Sequence, residues 1–358
     1  MSRLIRAVID TNALRHNLSV IRARAGRARV IAVVKANAYG HGLVSAARAL
    51  ESADAFAVAR LEEGLALRAA GIDARILVLQ GVFAAAQLEE AAHEHLDLVV
   101  HDALQIELLE SSAAADRFAL WLKIDSGMHR LGFAPREFAA TLARIRRLRP
   151  APRELRLLTH LACANERDRQ VTQAQLECFR AATRGLDYEA SIANSAGLFG
   201  DVALGGHWVR PGLALYGASP FEDCTSERLG LKPAMTLCST VIALRHVARG
   251  KSVGYGAAWV AARDSIIATV AGGYGDGVHR SLQSGTPVLV GGQRASLAGR
   301  VSMDMLAVDV TGLPTVEVGA PVVLWGEGLP VEEVARHAGT IAYELLCSVS
   351  QRVPLELR

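Results

Sequence analysis

The sequence has few cysteines and no pattern among them. Cys163, Cys178, Cys224, Cys238 and Cys347 are odd in number, widely spaced and without a C-x-x-C pair. That argues against a disulfide framework and a structural zinc site, and it fits a reduced, cytoplasmic setting. An excess of charge is missing too. Lys+Arg 39 against Asp+Glu 36 leaves a formal net charge of +3, too near neutral for a nucleic-acid footprint. The one basic run (Arg144, Arg146, Arg147, Arg149) reads as the solvated face of a helix. No apolar stretch approaches the roughly 18 residues of a membrane span. The opening MSRLIRAVIDTNALRHNL places Arg3, Arg6 and Asp10 where a secretion signal would be apolar, so none is expected. These absences disfavour a nucleic-acid binder, a membrane protein and a secreted disulfide scaffold. No G-x-G-x-x-G follows the first apolar run, which counts against an open dinucleotide-binding sheet.

What is present is a globular composition, 51% hydrophobic and 21% charged over 358 residues, long enough for two domains. Short apolar runs recur at Val30–Val34, Ala55–Val58, Ile76–Leu79, Leu96–Val100, Phe118–Ile124, Arg156–His160, Glu189–Ala193 and His207–Arg210. Between them lie helical patterns: Leu14, Leu18, Ile21; then Leu61, Leu65, Arg68 closed by Gly71; then Pro135 leading into Phe138, Leu142 and Ile145. Continuous rather than alternating strands suit a parallel sheet covered on both faces. Eight such units predict an α/β fold with an N-terminal (β/α)8 barrel over residues 1–230, with a doubly wound open sheet as the alternative. After about Gly230 the rhythm changes. SIIATVAGG, PVLVGG, MLAVDVTGLP and APVVLWGEG predict a mainly β C-terminal domain over 231–358, with helices at Val331–His337 and Tyr343–Val349.

A barrel enzyme works at the C-terminal ends of its strands. Lys35 stands there, directly after VIAVV, inside KANAYGHG, which packs Asn37, Tyr39, His41 and two glycines together. A lysine leaving an apolar core has its pKa lowered by desolvation and becomes a Schiff-base former or a general base. The alternative is a lysine that merely snorkels at a strand end. The loops after the seventh and eighth strands, Asn194-Ser195-Ala196-Gly197 and Gly212-Leu213, offer small residues, a hydroxyl and backbone N–H groups for a phosphate. A phosphate site facing a lysine amine points to pyridoxal 5'-phosphate.

Several motifs then occur in order: AVVKANAYGHG, KIDSGMHRLGF, ANSAG, RPGLALYG, GYGAAW, GYGDG, GRVSMD and AYELLCSVSQRVP. Together they resemble the alanine racemase family, from the first residues to Pro354. The resemblance implies a pyridoxal-phosphate isomerase that interconverts L- and D-alanine, works as a head-to-tail homodimer with shared active sites, and serves D-alanine supply for peptidoglycan or L-alanine catabolism.

It also implies roles. Lys35 resembles the lysine that bonds the cofactor and acts as one base. Tyr255, in Val253-Gly254-Tyr255-Gly256, resembles the opposite base, offered by the partner chain. Tyr39, Asn194, Ser195, the Gly212–Leu213 backbone and Tyr343 resemble the phosphate site, and Tyr343 leaves the substrate side chain little more room than a methyl group. Arg210 resembles the residue facing the pyridine nitrogen, with His160 joining the polar chain around it. Arg130 and the Met303 N–H resemble the substrate-carboxylate site. Lys123 occupies a position where many members carry a carbamylated lysine, the alternative being an ordinary lysine paired with Asp125. Tyr274, Arg300 and Asp304 resemble the substrate entrance. No metal site is expected.

Three positions depart from the family pattern: Asn165 where an acid is expected, Gly254 in place of Ser, and Ala342 in place of Pro. Two other readings compete. A decarboxylase of related architecture normally sets an acid at the pyridine nitrogen, where this sequence has Arg210. A non-catalytic cofactor carrier resembles the barrel alone and lacks the segment after Gly230.

Overall fold

The computed structural model describes residues 4–200 and 206–358. A short strand, β1 (Arg6–Ile9), leads into a helix over Thr11–Ala25. Asp10 Oδ1 caps that helix, accepting from the Asn12 and Ala13 N–H groups at 2.8 and 3.0 Å, and Leu14, Leu18 and Ile21 form its buried stripe.

The barrel follows. Its strands are β2 (Arg29–Val33), β3 (Ala55–Val58), β4 (Ile76–Val78), β5 (Asp97–Val100), β6 (Ala119–Lys123), β7 (Glu154–Leu158), β8 (Ala190–Ser191) and β9 (Trp208–Val209). All neighbours pair in parallel, and β9 returns to β2 to close the ring. Every residue of β3, β4, β5 and β6 is buried. The interior holds side chains and the helices cover the outside, which is why these strands read as unbroken apolar runs. The helix at Pro135–Arg147 buries Phe138, Leu142 and Ile145. Its basic face points outward, with Arg144 on the Glu110 carboxylate at 3.0 and 2.7 Å.

Charges close the N-terminal end of the barrel. Arg156 Nε donates to Glu189 Oε2 at 2.8 Å and its guanidinium also pairs with Glu154. Arg75 holds Glu154 with two bonds of 3.0 Å. Arg75 and Arg153 both reach the buried Asp97, at 3.3 and 3.1 Å. Trp208 Nε1 donates to Glu189, and the Arg156 guanidinium lies over the Trp121 and Trp208 rings at 5.3 and 5.4 Å. Arg75, Arg153 and Arg156 each find a carboxylate at this end.

The second sheet comprises β10 (Met235–Val247), β13 (Ser265–Ala271), β14 (Pro287–Val290), β15 (Gln293–Leu297), β16 (Met305–Asp309), β17 (Pro321–Trp325) and β18 (Leu355–Leu357); β11 (Ser252–Val253) and β12 (Trp259–Val260) form a separate hairpin. Pairing of β10 with both β17 and β13 makes a six-strand antiparallel ring. β1, which a division at residue 230 places with the barrel, is hydrogen-bonded into this sheet instead. It runs antiparallel to β10 and parallel to β18. Its alternating burial is that of a strand with one face on a core. The two late helices form at Val331–Ala338 and Ala342–Ser348. Among the described residues no helix is long and apolar enough to cross a membrane.

Candidate active site

At the C-terminal end of β2 the backbone does something unusual. After Lys35, four consecutive non-glycine residues take left-handed φ angles: Ala36 at 54°, Asn37 at 54°, Ala38 at 53° and Tyr39 at 52°. Each costs on the order of 1–2 kcal/mol for an L-residue, so the surroundings must hold the turn. Asn37 Oδ1 accepts from Leu43 N–H at 2.8 Å. His41, fully buried, places Nδ1 at 3.0 and 2.9 Å from the Ala38 and Tyr39 carbonyls, so this nitrogen carries the donating hydrogen. The turn delivers Lys35 into the barrel mouth, half-buried, its pKa lowered by desolvation and then by the Arg130 charge.

The same turn aims Tyr39 at the loop after the neighbouring strand β9. Its hydroxyl lies so close to Gly212 that a Cβ there would stand 2.5 Å away, so any larger residue would have to displace Tyr39. Ser195 Oγ accepts from the Gly212 and Ala214 N–H groups at 3.0 and 3.3 Å. Asn194 caps the short helix Ser195–Phe199 through Gly197 N–H at 2.8 Å, and Leu213 opens the buried 3-10 turn behind Gly212. The Tyr39 ring is 4.8 Å from Tyr216 and 5.8 Å from Tyr343. Burial raises all three phenol pKa values, that of Tyr343 to about 12, so they remain protonated donors.

Arg210, 4% exposed, follows β9. Its Nη1 donates to Ser191 Oγ at 2.6 Å and its Nη2 to the Thr159 carbonyl at 2.5 Å, with His160 Nδ1 3.4 Å away. Burial pushes its pKa down to about 10, which leaves it charged at neutral pH. His160 is held neutral, its pKa well below 6.5 through burial and the Arg210, Lys123, Arg130 and Lys35 charges.

Lys123, 7% exposed at the end of β6, has its pKa pushed down to about 8 by burial and then by Arg210 and Arg130. Asp125 is not its ion-pair partner. One Asp125 oxygen accepts from the Gly127, Met128 and His129 N–H groups at 3.0 Å each, and the other faces His129. Among the described residues no carboxylate lies within ion-pair distance of Lys35, Lys123, Arg130 or Arg210. The mouth holds unpaired positive charge, whereas the arginines named at the opposite end are paired with carboxylates.

Tyr255, Tyr274, Arg300, Met303 and Asp304 lie on the second domain, and among the described residues none of them hydrogen-bonds, pairs or acts by charge on Lys35. The charges acting on Lys35 come from Arg130, Glu63 and Cys347. Tyr255 is 68% exposed and Met303 52%. Tyr255 stands beside Gly256, whose Cβ position is 3.2 Å from the Arg300 guanidinium. The Tyr274 N–H bonds the Ser302 carbonyl, and Asp304 pairs with Arg352 at 2.8 Å, which ties these loops into one face. Gly254 sits at φ 74°, a conformation that suits the departure from Ser. Asn165 hydrogen-bonds the neighbouring Glu166 at 2.9 Å, which keeps a carboxylate in that loop. Ala342 opens the helix that carries Tyr343.

The alanine racemase N-terminal domain model matches residues 9–220, and the C-terminal domain model matches residues 234–357. The chain belongs to the alanine racemase family. It is 51% identical over 350 residues to the biosynthetic alanine racemase of Pseudomonas aeruginosa, covering 97% of each chain. The crystal structure of the biosynthetic enzyme from that organism superposes with a TM-score of 0.96 at 50% identity over 100% of both chains. The alanine racemase of Acinetobacter baumannii gives 0.94 at 38% identity, again over 100% of both. Like these racemases, the chain joins a parallel barrel to a mostly β domain.

Sequence reasoning missed four residues that the structure joins to the candidate site residues. Thr159 and Ser191 fix Arg210, and both stand at ends of neighbouring strands, where inward-facing polar residues were the available signal. Tyr216, within the quoted RPGLALYG, stacks on Tyr39 and donates to the Val33 carbonyl at 2.9 Å. Glu63 bonds the Ala36 N–H from another strand's helix, and no local pattern announces that.

Proposed function

We propose that the chain is an alanine racemase that uses pyridoxal 5'-phosphate to interconvert L- and D-alanine. The observation that carries this reading is the barrel mouth itself: Lys35, Lys123, Arg130 and Arg210 gathered with no carboxylate to neutralise them. Such a site suits a guest with several anionic groups. The phosphate fits the Tyr39, Asn194, Ser195, Gly212–Leu213 and Tyr343 wall, where the Tyr39 hydroxyl lies against the side-chain-free Gly212 backbone. The phenolic oxygen and a substrate carboxylate fit Arg130, and the pyridine nitrogen fits Arg210. When bound, the cofactor supplies an electron sink that acidifies the substrate's α-proton.

The chain's own groups do the rest. Lys35, with a lowered pKa, provides the amine that bonds the cofactor and moves the proton on one face. Arg210 is locked by Ser191 and Thr159 with its donors presented, and a guanidinium has no proton to give to a ring nitrogen. That restrains the electron sink and disfavours the decarboxylase alternative. Tyr255 serves the opposite face. Its exposure in the single chain supports a head-to-tail homodimer in which residues 231–358 of one subunit complete the barrel of the other. The Met303 N–H, without a hydrogen-bond partner among the described residues, would bind carboxylate from the same face, with Tyr274, Arg300 and Asp304 around the entrance. The five cysteines are unpaired, in keeping with a reduced, cytoplasmic setting.

The test is to load the protein with pyridoxal 5'-phosphate, follow racemisation and α-deuterium exchange over a panel of amino acids, and reduce with borohydride. Alanine should racemise, and the reduced label should map to Lys35. A label on another lysine, or no exchange with any amino acid, overturns the reading.

A further inference from the structure

Glu63 lies in the first turn of the helix Leu61–Ala69 that follows β3, and its carboxylate serves two strands at once. Oε2 accepts from the Ala59 and Arg60 N–H groups at 2.8 and 3.2 Å, as an acid at the third position of a helix does when it reaches back to the cap. Oε1 accepts from the Ala36 N–H at 2.6 Å, across 27 residues of sequence. A helix cap accounts for the first pair of bonds and not for the third. Ala36 directly follows Lys35 and is the first of the left-handed residues. Its N–H makes no other hydrogen bond among the described residues.

The turn is thus gripped from both sides. Glu63 holds its start, and His41 holds its end through the Ala38 and Tyr39 carbonyls. Because β2 and β3 are adjacent parallel strands, the Glu63 bonds also tie together the two strand ends between which Lys35 emerges. Glu63 is, moreover, the one carboxylate among the charges acting on Lys35, where it opposes burial and Arg130.

We propose that Glu63 is a positioning residue for Lys35: by holding the Ala36 N–H it fixes the left-handed turn that aims the lysine into the barrel mouth. The proposal rests on the reading of Lys35 as the cofactor-bonding base. A misdirected reacting group loses rate far more than affinity, and a displacement of about 1 Å costs on the order of 100-fold.

The experiment compares Glu63→Gln with Glu62→Gln, an exposed acid in the same turn that makes no such bond. A glutamine has one accepting oxygen, so it cannot serve Ala36 and the helix cap together, and it removes the negative charge. In the cofactor-free protein, the pH dependence of Lys35 modification by trinitrobenzenesulfonate is followed by peptide mass mapping. Removing a nearby anion makes the ammonium less favourable, so Glu63→Gln should shift the Lys35 midpoint to lower pH while Glu62→Gln leaves it in place. In the loaded enzyme, Glu63→Gln should lower kcat about 10- to 100-fold with KM for alanine within about threefold. Melting curves establish that both variants fold. If Glu63→Gln matches Glu62→Gln in labelling and in kcat, Glu63 is a helix cap only and the proposal fails. A labelling shift in a protein that racemises nothing would leave the positioning role standing and remove the functional reading instead.

Discussion

The Arg210 guanidinium stands 3.4 Å from His160 Nδ1 while two of its five N–H donors are held by Ser191 and Thr159. A cation this close keeps the imidazole neutral, in addition to the larger effect of burial. The imidazole should therefore show no protonation as pH falls through 6.5, readable by nitrogen NMR of labelled histidine. The sign for stability follows. An unfolded His160 takes up a proton near 6.5 and the folded one does not, so its contribution is full above 6.5 and shrinks as pH falls below it. Arg210→Met should move the His160 pKa part of the way back up, since burial remains. A His160 that titrates normally in the native protein would contradict this arrangement.

On the proposed two-base reading, removing the Tyr255 hydroxyl should separate chemistry from cofactor retention. Tyr255→Phe deletes one hydroxyl from a ring that is 68% exposed in the single chain, so folding and cofactor uptake should be unchanged. Loss of a general acid–base group lowers rate by about 100- to 10,000-fold. The expected outcome is normal cofactor absorbance with racemisation reduced by that factor in both directions. Full activity in the variant would refute a two-base scheme.

The barrel was legible because burial on both faces leaves a simple trace, an unbroken apolar run ending in a polar residue. Where charge interrupts that trace, boundaries slip. β7 begins at Glu154, two residues before the apolar reading starts, because Glu154 and Arg156 belong to the ionic closure of the barrel. β1 carried no usable signal, since its four residues acquire meaning only through β10, more than 200 residues away. Lys35 stands at a strand end, where position and chemistry both single it out, whereas Tyr39 and Arg210 take their expected roles from the family resemblance. Glu63, Ser191 and Thr159 act through backbone groups or through another side chain from a different strand, and such pairings exist only after the chain has folded.

The two ends of the barrel should respond oppositely to substitution. Arg156 is buried between Glu154 and Glu189 and lies over two tryptophan rings. Only Arg156 is buried here, and the two carboxylates keep Arg75 and Arg29 as partners, so its removal costs about 1–3 kcal/mol. Arg156→Met should therefore lower the urea midpoint of unfolding clearly while leaving kcat near normal, because the chemistry sits at the other end. A variant that keeps its stability and loses activity would show that this network serves the site instead.

Lys123 gives the remaining test. Burial and the neighbouring Arg210 and Arg130 charges bring its pKa down to about 8, so near that pH a substantial share of the side chain is the neutral amine, the form that adds to carbon dioxide. The product is a carbamate with release of one proton, and the group changes from cation to anion. That change suits its surroundings, where Arg210, Arg130 and Lys35 act on Lys123 as like charges and Asp125 is committed to the 127–129 backbone. Protein equilibrated with carbon-13 bicarbonate should show a carbamate resonance that is lost in Lys123→Ala. Its intensity should rise from pH 6 toward pH 8 as the ammonium gives up its proton. A resonance that persists in the variant, or its absence at pH 8 in the unsubstituted protein, would mean that Lys123 remains an ordinary amine.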